Sequence, residues 1–337
     1  MSGSDPRSAV SDQRTFAPEE ALPLATFGEI TEVRVQRPRW IEKEARQRKR
    51  PRRLTRDGRL VLLAIDHPAR GVTAIRGDGL AMGDRYQYLA RTRRVLDDPE
   101  LDGVVATADL LEELLILSHF ERKEAGRGFL DGRVLVGSMN RGGLAGTAFE
   151  MDDAFTGIGA ARLAELRCQG GKMMYRLEPQ EAGSGRTIVA CAQALNDLRR
   201  EGLSAFLEPL GVARGGSGYD PAKDAATLVR QCGIAAGLGD SSAHLWLKLP
   251  YGDGFERVCR ATTLPILLLG GPARESPAAT LKDFASGLEA GPNVRGAIIG
   301  RNLLFPGDAD PLPMCRALTA LVHGGASLDG ALRELER

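Results

Sequence analysis

Eight short apolar runs recur along this chain, and the stretches between them carry helical periodicity. The runs are RLVLLAID (59–66), GVVAT (103–107), RVLVGSM (133–139), GKMMYRL (171–177), LSAFLEP (203–209), HLWLKL (244–249), PILLLGG (265–271) and RGAIIG (295–300). Between them lie DRYQYLARTRRVLDD, GIGAARLAELRCQ, IVACAQALNDLRREG and PAKDAATLVRQCGIAAGLG, which read as helices. Strict alternation of strand and helix requires a parallel sheet with helical crossovers, and eight units predict closure into a single (β/α)8 TIM barrel of the α/β class. An open doubly wound sheet is the alternative. At 337 residues the chain fits two ordinary domains or one barrel, whose usual size is roughly 250 residues, so length does not choose between them.

Residues 1–22 are rich in Ser, Pro, Asp and Ala without periodicity and read as a disordered or loosely docked tail. Residues 23–58 read as a basic helical extension, with Arg46, Arg48, Lys49, Arg50, Arg52 and Arg53 around Pro51. A solvated helix anchored by Trp40 and Ile41 is the expectation there, with a polyanion contact as the alternative. The barrel then occupies 59–337. The net charge of +1, with 26 % charged residues, argues for no nucleic acid and no membrane as partner, and turns attention to small molecules. Five cysteines (Cys168, Cys191, Cys232, Cys259, Cys315) form no CxxC pair, which predicts reduced thiols, no zinc site and a cytoplasmic location. No apolar run reaches the roughly 20 residues of a membrane span, and MSGSDPRSAV has no apolar core of a signal peptide.

In a barrel of this type chemistry gathers at the C-terminal ends of the strands. Lys248, in LWLKLPYGDGF, is therefore the residue to explain, because an ammonium in an apolar strand is costly unless paired, deprotonated or in use. The bland alternative is a lysine snorkelling at a strand end. Alternation of side chains puts Lys248 on one face with Trp246 and His244, Asp66 with Ala64 and Leu62, Glu208 with Phe206 and Ser204, and Arg176 with Met174 and Lys172. His67 takes the opposite parity and is left out of the site. A lysine made neutral by burial and by cations such as Lys172 and Arg176 can attack a ketone, and the imine so formed is an electron sink that needs no metal or other cofactor. Glu208 is placed as general base, and Asp66 to shuttle protons or orient Lys248, or else to serve as a cap or turn carboxylate. Gly270 and Gly271 after the seventh run, and Gly300, Arg301 and Asn302 after the eighth, read as phosphate cradles, the position where barrels commonly hold phosphate.

The ordered series LAIDHP, LWLKLPYGDGFERV, PILLLGGP and IIGRNLLF resembles the class I aldolases of the deoxyribose-phosphate aldolase superfamily, from about residue 59 to the C-terminus. The branch with archaeal-type fructose-bisphosphate aldolase, autoinducer-2 aldolase-like proteins and tagatose-bisphosphate aldolase is the nearest in pattern. The resemblance implies that Lys248 forms the imine, that Asp66 is the first-strand aspartate, and that Gly271 and Arg301 belong to the phosphate site. FLEPL carries Glu208 where archaeal-type enzymes place a tyrosine, as in the tagatose-bisphosphate branch, which implies a glutamate as the proton-transfer residue. GGKMMYRLEP nominates Lys172 as an active-site cation. Asn140 and Arg141, in SMNRGGLAG, are expected to contact substrate, with Arg176, Gly270 and Gly300 completing the substrate- and phosphate-binding set. The expected partner is a small phosphorylated sugar or sugar acid, and the expected assembly a homo-oligomer. Acyl transfer through the same lysine and a non-catalytic sugar-phosphate-binding barrel are the alternatives.

Overall fold

The computed structural model describes residues 15–144, 146–215, 218–274 and 276–336. Eight parallel strands close into a barrel: β1 (Leu60–Ala64), β2 (Gly103–Ala106), β3 (Val134–Ser138), β4 (Gly170–Leu177), β5 (Ser204–Gly215), β7 (Leu245–Pro250), β8 (Ile266–Leu269) and β9 (Val294–Ile299). Each of the eight apolar runs supplies one of them. The ring is sealed on both sides of the β1–β9 pair, and β4 pairs with β5 over eight residues from Gly170↔Ser204 to Leu177↔Gly211. The doubly wound alternative is thereby removed, because an open sheet leaves two edges and this one leaves none.

The two faces of the strands do separate work. Outward residues such as Val61, Leu63, Val104, Leu135, Met173, Leu207, Leu247 and Ala297 pack under the helices. Inward residues Leu60, Leu62, Val105, Val136, Phe206, Leu267 and Ile298, with Trp246, fill the lower barrel and exclude water. Among the connecting helices are α4 (Arg85–Val95), α5 (Ala108–Ala125), α7 (Ala182–Arg200), α8 (Ala225–Ala236) and α10 (Pro277–Glu289). The side chains of Asp84 and Asp224 accept from Gln87 N and Thr227 N, which fixes where α4 and α8 begin.

Three features go beyond the sequence reading. The fifth strand runs past residue 209 to Gly215 and turns back as β6 (Gly218–Pro221), an antiparallel hairpin that GVARGGSGYDP does not advertise. It is held by Leu210, Val212 and Tyr219 packing with Met151 and Met174 over the barrel mouth. The expected tail lies outside the described residues up to 14, but 15–22 are docked: Phe16 N donates to Asp308 O, and Leu22 is buried.

The basic extension is the third. It forms α2 (Leu24–Gln36) and α3 (Trp40–Gln47), but it is not simply a solvated face. Arg48 is 1 % exposed and donates to Arg133 O (2.8 Å) and Arg167 O (2.7 Å) just ahead of β3 and β4. Glu44 is fully buried against α5, where it accepts from Arg122 Nε (2.9 Å) and Ser118 Oγ (2.7 Å). A buried guanidinium capping loop carbonyls explains one of the basic residues without any polyanion.

Candidate active site

The upper barrel holds a chain of alternating charges. Lys248 and Glu208 project inward two residues beyond Trp246 and Phe206, so the apolar layer is the floor on which they stand. Lys248 Nζ lies 2.8 Å from Glu208 Oε2, and Lys172 Nζ lies 3.2 Å from the same oxygen. Lys172 Nζ is also 3.1 Å from Asp66 Oδ2, which accepts from Ser138 Oγ at 2.8 Å. Each ionised group thus has an opposite charge beside it, the condition under which four buried charges are tolerated.

The two lysines are not equivalent. Lys172 is 1 % exposed and lies between two carboxylates, whereas Lys248 is 8 % exposed at its side chain and has one. Burial lowers the proton affinity of Lys248 and the charge of Lys172 adds to that, against the opposing pull of Glu208. Burial would raise Glu208, but Lys248 and Lys172 outweigh it and hold the carboxyl below its usual range. Asp66 is held well down in the same way, burial being outweighed by Lys172 first and then by Arg70 and Lys248.

Above this chain lies a layer rich in arginine. Arg176 extends from β4, Arg70 follows β1 in the short helical turn Pro68–Arg70, and Arg301 follows β9. The Nε atoms of all three are buried without a hydrogen-bond partner. His67 is buried beside them, with Nδ1 unpartnered and its proton affinity pushed down to about 3 by burial, so the ring is neutral at ordinary pH. Excluding His67 by strand parity fails because β1 ends at Ala64, and beyond that point the chain turns and alternation no longer applies.

The glycine segments have distinct physical reasons. A Cβ on Gly300 would lie 2.3 Å from His67 Cε1 and 2.5 Å from Ala64 O, so glycine is required for β9 to pass the end of β1. Gly271 has φ +66°, a left-handed conformation, with open space around it. Asn302 joins the two loops: its Nδ2 donates to Gly270 O (2.7 Å) and Pro272 O (2.9 Å), and its Oδ1 accepts from Arg274 N (2.7 Å). A cavity of about 240 Å³ opens beside this segment, lined by Lys223, Tyr251, Gly270, Gly271 and Arg274 among others. After Gly300 the chain makes a single helical turn, Arg301–Leu304.

Asn140 is fully buried and brackets β4, its Nδ2 donating to Met174 O (2.6 Å) and its Oδ1 accepting from Met174 N (2.9 Å). That placement ties the end of β3 to β4 and engages both atoms of the amide. Arg141 donates from Nε to Thr156 Oγ1 at 2.9 Å. Sequence reasoning also missed Ser138, Arg70 and Glu150. Ser138 was accessible to it, since 134, 136 and 138 share the inward face of the third run; Arg70 and Glu150 are loop residues with no periodicity to place them.

A closed eight-stranded barrel with a lysine–carboxylate chain at its mouth has the fold of the class I aldolases. The chain belongs to the Cgl0159-like family, which matches residues 58–317. It is similar to the crystal structure of Cgl0159 from Corynebacterium glutamicum, at 34 % identity and a TM-score of 0.83 over 90 % of this chain and 99 % of that one. A Schiff-base-forming fructose-1,6-bisphosphate aldolase shares the fold at 20 % identity and a TM-score of 0.57, over 84 % of this chain and all of the other. In sequence, 149 residues are 28 % identical to an uncharacterized aldolase of Saccharolobus solfataricus; they make up 42 % of this chain and span about half (51 %) of that relative. Among the described residues no helix is long and apolar enough to cross a membrane.

Proposed function

We propose that the protein is a metal-independent class I aldolase that cleaves or forms a carbon–carbon bond in a phosphorylated ketose or keto-deoxy sugar acid through an imine on Lys248. The observation that carries this reading is the inequality of the two lysines: one clamped by two carboxylates, the other with a single partner and a lowered proton affinity. Only a neutral amine adds to a carbonyl.

Lys248 Nζ attacks the ketone carbon and water departs, leaving a protonated imine. Glu208 takes the proton from the hydroxyl two carbons away, that carbon becomes an aldehyde carbonyl, and the electrons of the broken carbon–carbon bond pass to the imine nitrogen, giving a neutral enamine. Loss of the positive charge beside Glu208 raises its proton affinity just as it receives the proton. Lys172, held by Asp66 and Glu208, stands next to Lys248. The phosphate end of the substrate is assigned to Gly271, the Gly300 turn and Arg301, whose guanidinium makes no hydrogen bond among the described residues.

Borohydride reduction tests this directly, since it converts an imine into a stable amine. With ketose phosphates such as dihydroxyacetone phosphate and fructose 1,6-bisphosphate, peptide mapping should find the adduct on Lys248 and none in Lys248→Met. An adduct on Lys172 would reverse the roles of the lysines. No adduct across the panel would favour a sugar-phosphate-binding barrel without chemistry.

A further inference from the structure

Arg70 and Arg176 are the groups at the mouth that the aldol steps leave unused. The guanidinium of Arg70 makes no hydrogen bond or ion pair among the described residues, and its Nε is buried. Arg176 is 10 % exposed at its side chain; its Nη1 is engaged by Gly142 O and by Glu150 Oε1 at 2.9 Å, and its Nε has no partner. Arg70 lies close enough to Arg176 to rank, after burial, as the strongest influence lowering its proton affinity, and it acts on Arg301 in the same way. Like charges held together in a half-buried layer, with their Nε atoms unpaired, favour an anion bound between them.

That anion differs in place from the one assigned to Arg301. In the closed ring β4, which carries Arg176, lies four strands from β9 in either direction, so the strands that lead to Arg176 and Arg301 stand on opposite sides of the mouth; β5 and β7, with Glu208 and Lys248, lie on one arc between them, and β1, which leads to Arg70, on the other. Resting on the aldolase reading above, we propose that Arg176 binds a carboxylate at the end of the substrate opposite its phosphate, with Arg70 between the two anions, so that the bond broken lies between two anionic ends.

A carboxylate fits better than a second phosphate for two reasons. The free edge of Arg176, Nε with Nη2, is a planar two-donor fork that matches the two oxygens of one carboxylate. The surroundings also carry negative charge: Glu150 pairs with Arg176, and Asp153 accepts from Gly142 N at 2.6 Å. A phosphate dianion there would face twice the repulsion of a carboxylate, with no glycine turn of the Gly271 kind to compensate.

The test is equilibrium binding to the full chain by calorimetry, using hexylphosphonate, 6-phosphonohexanoate and hexane-1,6-bisphosphonate, none of which has a carbonyl to react. The added carboxylate should tighten binding roughly tenfold or more, the scale of a charge-assisted hydrogen bond to a buried site, and Arg176→Met should erase that gain while leaving hexylphosphonate binding unchanged. Arg70→Met, which breaks no ion pair, should remove part of the gain and guards against misfolding of the first variant. Equal binding of hexylphosphonate and 6-phosphonohexanoate by the unmodified protein would overturn the proposal. So would tighter binding of the bisphosphonate with a gain lost in Arg176→Met, which would make the second anion a phosphate. Failure of borohydride trapping leaves these affinities untouched, so the loss of the aldolase reading and the loss of the carboxylate site are separate results.

Discussion

Glu208 is shared by two ammonium groups through one oxygen, and that arrangement makes its removal informative. Glu208→Gln should still form the imine but lower kcat by roughly 10²- to 10⁴-fold with a much smaller change in KM, as expected of a general base. The pH dependence of trapping should move as well. Glu208 raises the proton affinity of Lys248, so without it the amine loses its proton at lower pH and the trapping midpoint shifts toward acid. Near-normal kcat with an unmoved midpoint would transfer the proton step to another group. His67 and Ser138 teach the complementary lesson at this scale. Parity along the third run would have found Ser138, which the sequence reading missed, but it gives no guide to His67, which lies past the end of β1.

At the scale of elements, the loops after β8 and β9 depend on two glycines for different reasons. In Gly300→Ala the new methyl meets the backbone oxygen of Ala64 and the ring of His67, so β9 must shift, at the upper end of the roughly 1–3 kcal/mol of overpacking. In Gly271→Ala the space is open and the penalty is conformational, about 1 kcal/mol for a left-handed residue. Denaturant midpoints should therefore fall further for Gly300→Ala. Equal losses would mean that the β9 loop relaxes freely around His67. The glycine motifs were legible in the sequence, but their physical reasons were not, because the Gly300 contact lies between segments more than two hundred residues apart. The β5–β6 hairpin was hidden for a similar reason: its glycines read as a loop, and its pairing rests on the apolar patch of Met151 and Met174 beneath it.

Across the whole molecule, the C-terminal part of the chain is fastened to the start of the barrel by His323. Its Nδ1 lies 2.8 Å from Asp57 Oδ2 and its Nε2 2.9 Å from Asp102 Oδ2, an oxygen that also accepts from Val61 N of β1. Burial opposes the charged ring, but the two carboxylates prevail and raise its proton affinity. A raised value stabilises the fold below the unfolded-state pKa of about 6.5 and ceases to do so as pH climbs through the folded-state value. His323→Asn should therefore lower Tm at pH 6 by the equivalent of roughly 1–3 kcal/mol, and by less at pH 9. An equal loss at both pH values would mean that the ring contributes packing alone.

The sequence by itself determined the barrel and most of what stands in its mouth. Eight apolar runs alternating with helices admit few other closures, and the period of two along a strand puts Lys248 with Trp246, Glu208 with Phe206 and Arg176 with Lys172, leaving open whether each set faces the barrel or the helices. What the tertiary structure decided is which of those groups touch. Glu208 bridges two lysines because the register between neighbouring strands sets Lys172 beside Phe206 and Phe206 beside Trp246, so that Glu208 and Lys248 rise to one height, and no local pattern encodes that register. The same holds for Arg70, Arg48 and His323: each is a charged residue in an irregular segment, where periodicity is silent and only long-range packing fixes whether the charge meets water, a carbonyl or another charge.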